Sequence, residues 1–291
     1  MKIKKALLLI TITISSIGCS DSDVENTLLL TDENDIKRHV IGALKVVDTS
    51  NGNAITKYFD TNFKEHNPKK EDGIDGLKKA FENNLKNEIQ FKREVARVLV
   101  EGNLVFVHSR LVTIAKNETT SEIIGDIFKV VNGKIVEHWI TEQIETHKDK
   151  TANGNSMIDG EGNPEASITQ ENLVRNKKNL KVVIEKVIGN AEYNLIPDFF
   201  GKTYIQHNPG IDNGVKALQA FLTSLGKLDV EIKQIIAQGD LAVAFSHYKN
   251  PANKGLAIMD LFRFDVEGKV VEHWDVVHSI PNDSLNSNDF F

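Results

Sequence analysis

Cysteine is almost absent from this chain, with a single residue, Cys19, among 291. No disulfide can therefore staple the fold, and any domain must be held by its own apolar core. Basic residues are outnumbered, 35 Lys and Arg against 41 Asp and Glu, for a formal net charge of -6. A chain with no basic stripe is a poor match for a polyanion, so nucleic acid is set aside as a partner. No HxH or HExxH spacing occurs, so no short metal motif is present, and neither a metal nor an organic cofactor is expected. The one apolar run, Ala6 to Ile17, is too short to span a bilayer comfortably. The remainder is ordinary for a globular protein, with 40% hydrophobic and 26% charged residues, and its length suits about two domains.

Lys2, Lys4 and Lys5 precede that apolar run, which ends in Ser16-Ile17-Gly18-Cys19. A basic n-region, a short h-region and small residues before a cut make a secretory signal. The junction resembles a bacterial lipoprotein processing site in which Cys19 carries the lipid, although Ser16 stands where Leu is commoner. Loss of the three lysines with residues 1–18 would take the net charge from -6 to -9. Residues 19–31 then form a tether whose Ser20-Asp21-Ser22-Asp23-Val24-Glu25 is similar to the acidic export signal of some surface lipoproteins. The expected location is the cell envelope, lipid-anchored to the outer membrane and facing outward in one version of this reading.

The chain repeats itself. His66-Asn67-Pro68 recurs as His207-Asn208-Pro209, and the same offset of 141 pairs Phe63 with Tyr204, Gly73 with Gly214 and Leu77 with Leu218. Gly133-Lys134-Ile135-Val136-Glu137-His138-Trp139 recurs as Gly268-Lys269-Val270-Val271-Glu272-His273-Trp274. Even the ends agree, Asn153-Gly154-Asn155 with Asn286-Ser287-Asn288. Matches in the same order with similar spacing define a tandem duplication. Residues 151–166, rich in Gly, Asn and Asp, suit a surface linker. The units are then 32–150 and 167–291.

Each unit begins helical and turns strand-like. Ile36, Val40, Ile41 and Leu44 fall at helical spacing, as do Leu180, Val183, Ile184, Val187 and Ile188. A second helix follows the His-Asn-Pro turn on Val215, Leu218, Leu222 and Leu225. Turn signals at Glu101-Gly102-Asn103, Gln238-Gly239-Asp240, Asn132-Gly133 and Glu267-Gly268 separate β-rich runs. The expected class is α+β, with helices packed on one face of a curved antiparallel sheet.

The last hairpin of the second unit reads Asp260-Leu261-Phe262-Arg263-Phe264 and Val271-Glu272-His273-Trp274-Asp275-Val276. Alternation puts Asp260, His273 and Asp275 on one face with Phe262 and Phe264. A two-residue loop sets Asp260 opposite Asp275; a four-residue loop sets it opposite His273. Carboxylates crowded on an apolar face raise one another's pKa, and such an acid beside an imidazole can take a proton next to a carbonyl. Asp275, Asp260 and His273 are the candidate catalytic residues; solvated or ion-paired carboxylates on an outer face are the competing reading. The first unit keeps Asp126 and His138 but has Ile140 in place of Asp275, and a three-residue loop at Val131-Asn132-Gly133 would restore its facing. Its site is read as degenerate.

Other candidates are less defined. His66 and His207 either cap backbone groups at an Asn-Pro turn or, for His207 with Tyr204, stand at a pocket mouth. His247 faces either the pocket or the core. Trp139 and Trp274 alternate with the pocket residues and are expected to pack under the helices. Substrate contacts are assigned to His207, Tyr204, Phe262, Phe264 and His247.

Taken together, Tyr204 to Pro209, Gly214, Asp260 to Phe264 and Gly268 to Val276 resemble the SnoaL-like polyketide cyclase family, of the nuclear-transport-factor-like superfamily. The resemblance covers each repeat from first helix to last strand. It implies a cone-shaped α+β barrel and an aldol cyclisation without metal or organic cofactor. It places the family's acid/base Asp on Asp275 and the second polar pocket residue, a His in the family, on Asp260. The expected function is lyase, cyclase or isomerase chemistry on a small carbonyl compound. The alternatives are binding of an apolar small molecule without turnover, and a pseudo-dimeric or homo-oligomeric interaction scaffold.

Overall fold

A computed structural model describes residues 32–116 and 118–291. Cys19, the signal and the tether lie outside the described residues. In unit 1, α1 (Glu33–Asp48) starts at Asp32, whose side chain accepts from Asn34 N at 3.0 Å. That satisfies one of the unpaired N–H groups at the helix start. Its Ile36, Val40 and Leu44 are buried at the expected spacing. There follow α2 (Ile55–Tyr58), β1 (Phe59–Glu65), α3 (Gly73–Lys86), β2 (Gln90–Glu101), β3 (Leu104–Ala115), β4 (Glu118–Val131) and β5 (Lys134–Ile144). Unit 2 repeats the order as α4 (Gln170–Val182), continued by a π-helical stretch Val183–Gly189, then α5 (Ile196–Phe199) and β6 (Phe200–Gln206). It ends with α6 (Val215–Leu225), β7 (Asp229–Gln238), β8 (Leu241–Asn250), β9 (Asn253–Phe264) and β10 (Val270–Ser279).

The two sheets have the strand orders β1-β5-β4-β3-β2 and β6-β10-β9-β8-β7. Four strands of each form the expected antiparallel meander. The fifth corrects the sequence reading: β1 and β6 join β5 and β10 in parallel, so each sheet is mixed. Parallel neighbours need a long connection between them, and the helix with the three strands that follow it supplies one in each unit.

The closing hairpins reach the expected facing by other means. Asp260 lies opposite Asp275. In unit 2 the loop is three residues long and Val271 is bulged, which returns the register to that of a two-residue loop. In unit 1 the loop has two residues, not three. Asn132 (φ 50°) and Gly133 (φ 73°) both take positive φ, as the primed turn that Asn-Gly favours requires, and the shift is made at Val136. Asp126 therefore lies opposite Ile140.

Each sheet buries two faces. One face meets its own helices in an apolar core, including Val40, Leu44, Phe63 and Phe81 in unit 1 and Leu180, Ile184, Tyr204 and Leu222 in unit 2. The opposite faces pack against each other through Leu99, Phe106, Ile127 and Trp139 from unit 1 and Val243, Phe245, Met259 and Trp274 from unit 2. The tryptophans thus pack between the sheets, not under the helices. Alternation was read correctly, but the outer face of one unit is covered by the other. Each buried indole contributes on the order of 4 kcal/mol by area. Gly125 marks the closeness of the fit, since a Cβ there would lie 2.8 Å from Met259 Sδ. The linker is also tighter than expected: Met157 and Ile158 are buried with Ile123 and Val276.

Candidate functional site

On the concave face of unit 2, β9 and β10 bring Asp260, His273 and Asp275 together, with one ligand atom from each within 4.8 Å of the others. Each side chain has one polar atom held from behind. His273 Nδ1 meets Gln206 Oε1 at 3.0 Å. That oxygen also accepts from the N–H groups of His207 and Asn208, both at 2.9 Å, so it is an acceptor and the imidazole carries its proton on Nδ1. His273 Nε2 then faces Asp260 Oδ1 at 3.2 Å, while the Tyr248 hydroxyl donates to Asp260 Oδ2 at 2.9 Å. Asn208 Nδ2 donates to Asp275 Oδ2 at 2.6 Å. Asp275 Oδ1 is buried with no partner among the described residues. Burial pushes the Asp275 carboxyl up from the usual range; His273 opposes this and Asp260 adds to it. A carboxyl with a free oxygen, raised basicity and a fixed second oxygen is equipped for proton transfer.

Unit 1 builds a different centre on the same positions. His138 Nδ1 meets both oxygens of Glu65 at 3.1 Å, and Nε2 meets Asp126 Oδ1 at 2.9 Å. Burial by itself would lower this imidazole, but Glu65 and Asp126 raise it to about 9, so it is an imidazolium at neutral pH. Asp126 is further engaged by Arg93, which also holds Asp48 and Ser109. Asn67, the counterpart of Asn208, has its side-chain nitrogen buried without a partner among the described residues, because Ile140 stands where Asp275 would accept. The cluster borders a cavity of about 250 Å³ lined by apolar groups such as Phe63, Phe81 and Phe128 with Arg93, Asp126 and His138 at its polar end. Unit 1 is therefore charged and internally paired, yet it carries a cavity that the sequence reading did not assign to it.

The remaining sequence candidates separate by face. Phe262 stacks on His273 at 4.5 Å, and Phe264 and Tyr204 belong to the core under the helices. Tyr204 reaches the cluster through its hydroxyl, which accepts from Gln206 Nε2 at 3.0 Å. His207 is not at a pocket mouth. Its ring stacks on Trp274 at 4.8 Å between the sheets, with Nδ1 on the Ser156 carbonyl and Nε2 on Glu272. It caps a backbone group, the Ser156 carbonyl. His247 stacks on Phe291 at 4.7 Å and meets the Lys254 carbonyl, on the face of β8 opposite to Tyr248 and Asp260. Gln206, Asn208 and Tyr248 were missed. Asn208 lay in a motif already singled out; Tyr248 is visible only once β8 is registered against β9, with Ala244 opposite Asp260.

The model of the SnoaL-like domain family matches residues 40–138 and 184–273, one stretch in each unit. Among solved structures, one described as a polyketide cyclase from Bacillus cereus is 25% identical, covering 38% of this chain and 74% of its own, with a TM-score of 0.34. TsrD from Streptomyces laurentii is 16% identical over 38% of this chain and 90% of its own, with a TM-score of 0.34. An epoxide hydrolase from M. tuberculosis is 12% identical over 38% and 84%, with a TM-score of 0.35. No curated protein matches the chain. With the family model matched in both units, over more than half of its length, the chain belongs to the SnoaL-like domain family.

Proposed function

We propose that unit 2 is a cofactor-independent acid–base site acting on a small carbonyl compound, with Asp275 as the base. The observation that carries this reading is the free, buried Asp275 Oδ1 beside a carboxyl–imidazole pair. Asp275 would take the proton from a carbon next to a carbonyl. The C–H electron pair becomes the C=C bond of an enolate, whose charge rests on the former carbonyl oxygen. Attack of that enolate on a second carbonyl of the same molecule forms the C–C bond, and Asp275 returns its proton to the new alkoxide. Asp260 and His273 tune and orient the base, and Phe262 supplies apolar surface. Unit 1 is read as a binding unit for an apolar small molecule, favoured by its cavity and by a charge network that pairs Asp126 with both His138 and Arg93. The segment before Cys19 supports an exported, lipid-anchored protein, so these sites would act at the cell envelope.

The test is α-proton exchange in D2O, followed by NMR, over a panel of β-keto esters and cyclic ketones. Wild type should accelerate exchange, and Asp275→Asn should lose it by at least about 100-fold, the usual scale for a positioned base. Equal rates for the two proteins on every compound would remove the catalytic reading and leave binding.

A further inference from the structure

The turn that orients the unit 2 site is held by the linker that follows unit 1. After β5 the polypeptide crosses to unit 2 and runs along Gln206–Ile211. Asn153 Nδ2 donates to the carbonyls of Asn208 and Ile211, at 2.7 and 2.8 Å. Asn155 Nδ2 donates to the Gln206 carbonyl at 2.9 Å and to Asn213 Oδ1 at 3.0 Å. Ala152 N donates to the Pro209 carbonyl at 2.8 Å. Gln206 and Asn208, gripped through their backbones, are the residues whose side chains hold His273 and Asp275.

The contact is built twice. The chain leaving β10 returns to unit 1, where Asn286 Nδ2 donates to the carbonyls of Asn67 and Lys70, at 2.8 and 2.9 Å. Asn288 Nδ2 donates to the Glu65 carbonyl at 2.9 Å, and Leu285 N to the Pro68 carbonyl at 2.7 Å. Asn153-Gly154-Asn155 and Asn286-Ser287-Asn288 are the repeated ends of the two units. Four bonds match in the two straps, the bond of Asn155 to Asn213 Oδ1 having no counterpart, and each strap serves the opposite turn. A tail that only closed its own unit would not reach across.

We propose that Asn153 and Asn155 are positioning residues for the unit 2 site, so that each unit is completed by the strap of the other. The proposal rests on the acid–base reading of Asp275 for its kinetic consequence, but the geometry it claims has its own readout. Loosening the turn withdraws Asn208 and admits water to Asp275. Loss of the Asn208 bond by itself would raise the Asp275 midpoint, but burial is the largest cause of the raised carboxyl, so with water admitted the midpoint falls toward the ordinary range.

The experiment is a 13C NMR titration of the Asp275 carboxyl in the full chain, its signal identified by its loss in Asp275→Asn. Wild type is compared with Asn153→Ala/Asn155→Ala and with the mirror pair Asn286→Ala/Asn288→Ala. The first pair should lower the Asp275 midpoint and, on any active substrate, cut kcat about 10-fold with KM little changed, as expected when a base is displaced rather than removed. The mirror pair should leave both unchanged. If the first double variant does not fold, Asn155→Ala alone carries the comparison. An unchanged midpoint, or an equal shift in both pairs, overturns the proposal. Absence of exchange in wild type would overturn the acid–base reading while the titration still decides the strap.

Discussion

At the scale of single residues, Asp275 and Ile140 define the difference between the units. The raised Asp275 carboxyl has a sign for stability as well as for activity. The folded state holds its proton to higher pH than the unfolded state, so stability falls as pH rises above the ordinary aspartate range and stays reduced at neutral pH. Asp275→Asn should therefore be inactive yet more stable at pH 7 by about 1 kcal/mol, the common scale of such relief. Thermal unfolding at pH 7 that is unchanged or lower would contradict this. In unit 1 the orphaned Asn67 amide makes the reciprocal case. Ile140→Ala should cost about 2–5 kcal/mol as a buried truncation. Ile140→Asn should cost less, because its oxygen can accept from Asn67. Equal urea midpoints for the two variants would show that the amide has no deficit to relieve.

At the scale of elements, the closing hairpins do the assembly. Alternation along β4, β5, β9 and β10 sends Asp126, His138, Asp260, His273 and Asp275 to the concave faces and both tryptophans to the convex ones. The bulges at Val136 and Val271 keep that facing despite loops of different length. Where β1 and β5 run side by side, the Glu65–His138–Asp126 line ties the edge of the sheet to its middle. The folded pKa of His138, about 9, lies above its unfolded value of 6.5, so its contribution is complete below pH 6.5 and lost as pH rises to 9. That contribution is on the order of 3 kcal/mol. Glu65, lowered against burial by His138, contributes above pH 4.5 and loses its share as pH falls. Denaturant unfolding should weaken between pH 6.5 and 9 in wild type. His138→Leu should remove that slope and cost about 3–5 kcal/mol at pH 6, because buried Glu65 loses its counter-charge and Asp126 is left with Arg93 alone.

At the scale of the whole molecule, the two sheets pack as the halves of a dimer joined in one chain. Histidines inside that interface make it sensitive to acid. Burial pushes His108 well below its usual value, helped by Arg97 and His207. Burial also lowers His278, while Glu142 opposes and Lys69 adds to the effect. For a depressed histidine, stability is complete above the unfolded pKa of 6.5 and is lost as pH falls and the unfolded state takes up protons first. Both tryptophans of the chain lie between the sheets, so intrinsic fluorescence reports on this interface directly. Lowering pH from 7 to 5 should lower the melting temperature seen by fluorescence. A His108→Phe variant should show a smaller drop. The same pH dependence in variant and wild type would place the acid sensitivity elsewhere.

The sequence by itself determined the duplication, the α+β class and the shared face of Asp260, His273 and Asp275. Those features follow from local rules: repeat matching, the helical period near 3.6 and the strand period of 2. It also marked Asn153, Asn155, Asn286 and Asn288 as repeated, without revealing their purpose. Tertiary structure decided which surface covers each outer face, which removed His207 from the pocket and set Trp139 and Trp274 between the sheets. It decided the parallel return of β1 and β6, which carries Glu65 and Gln206 to the two histidines. It also decided that the cavity of about 250 Å³ lies in the unit that lost its aspartate. These are contacts between segments distant in the chain, and periodicity fixes a side chain's direction without naming what it will meet.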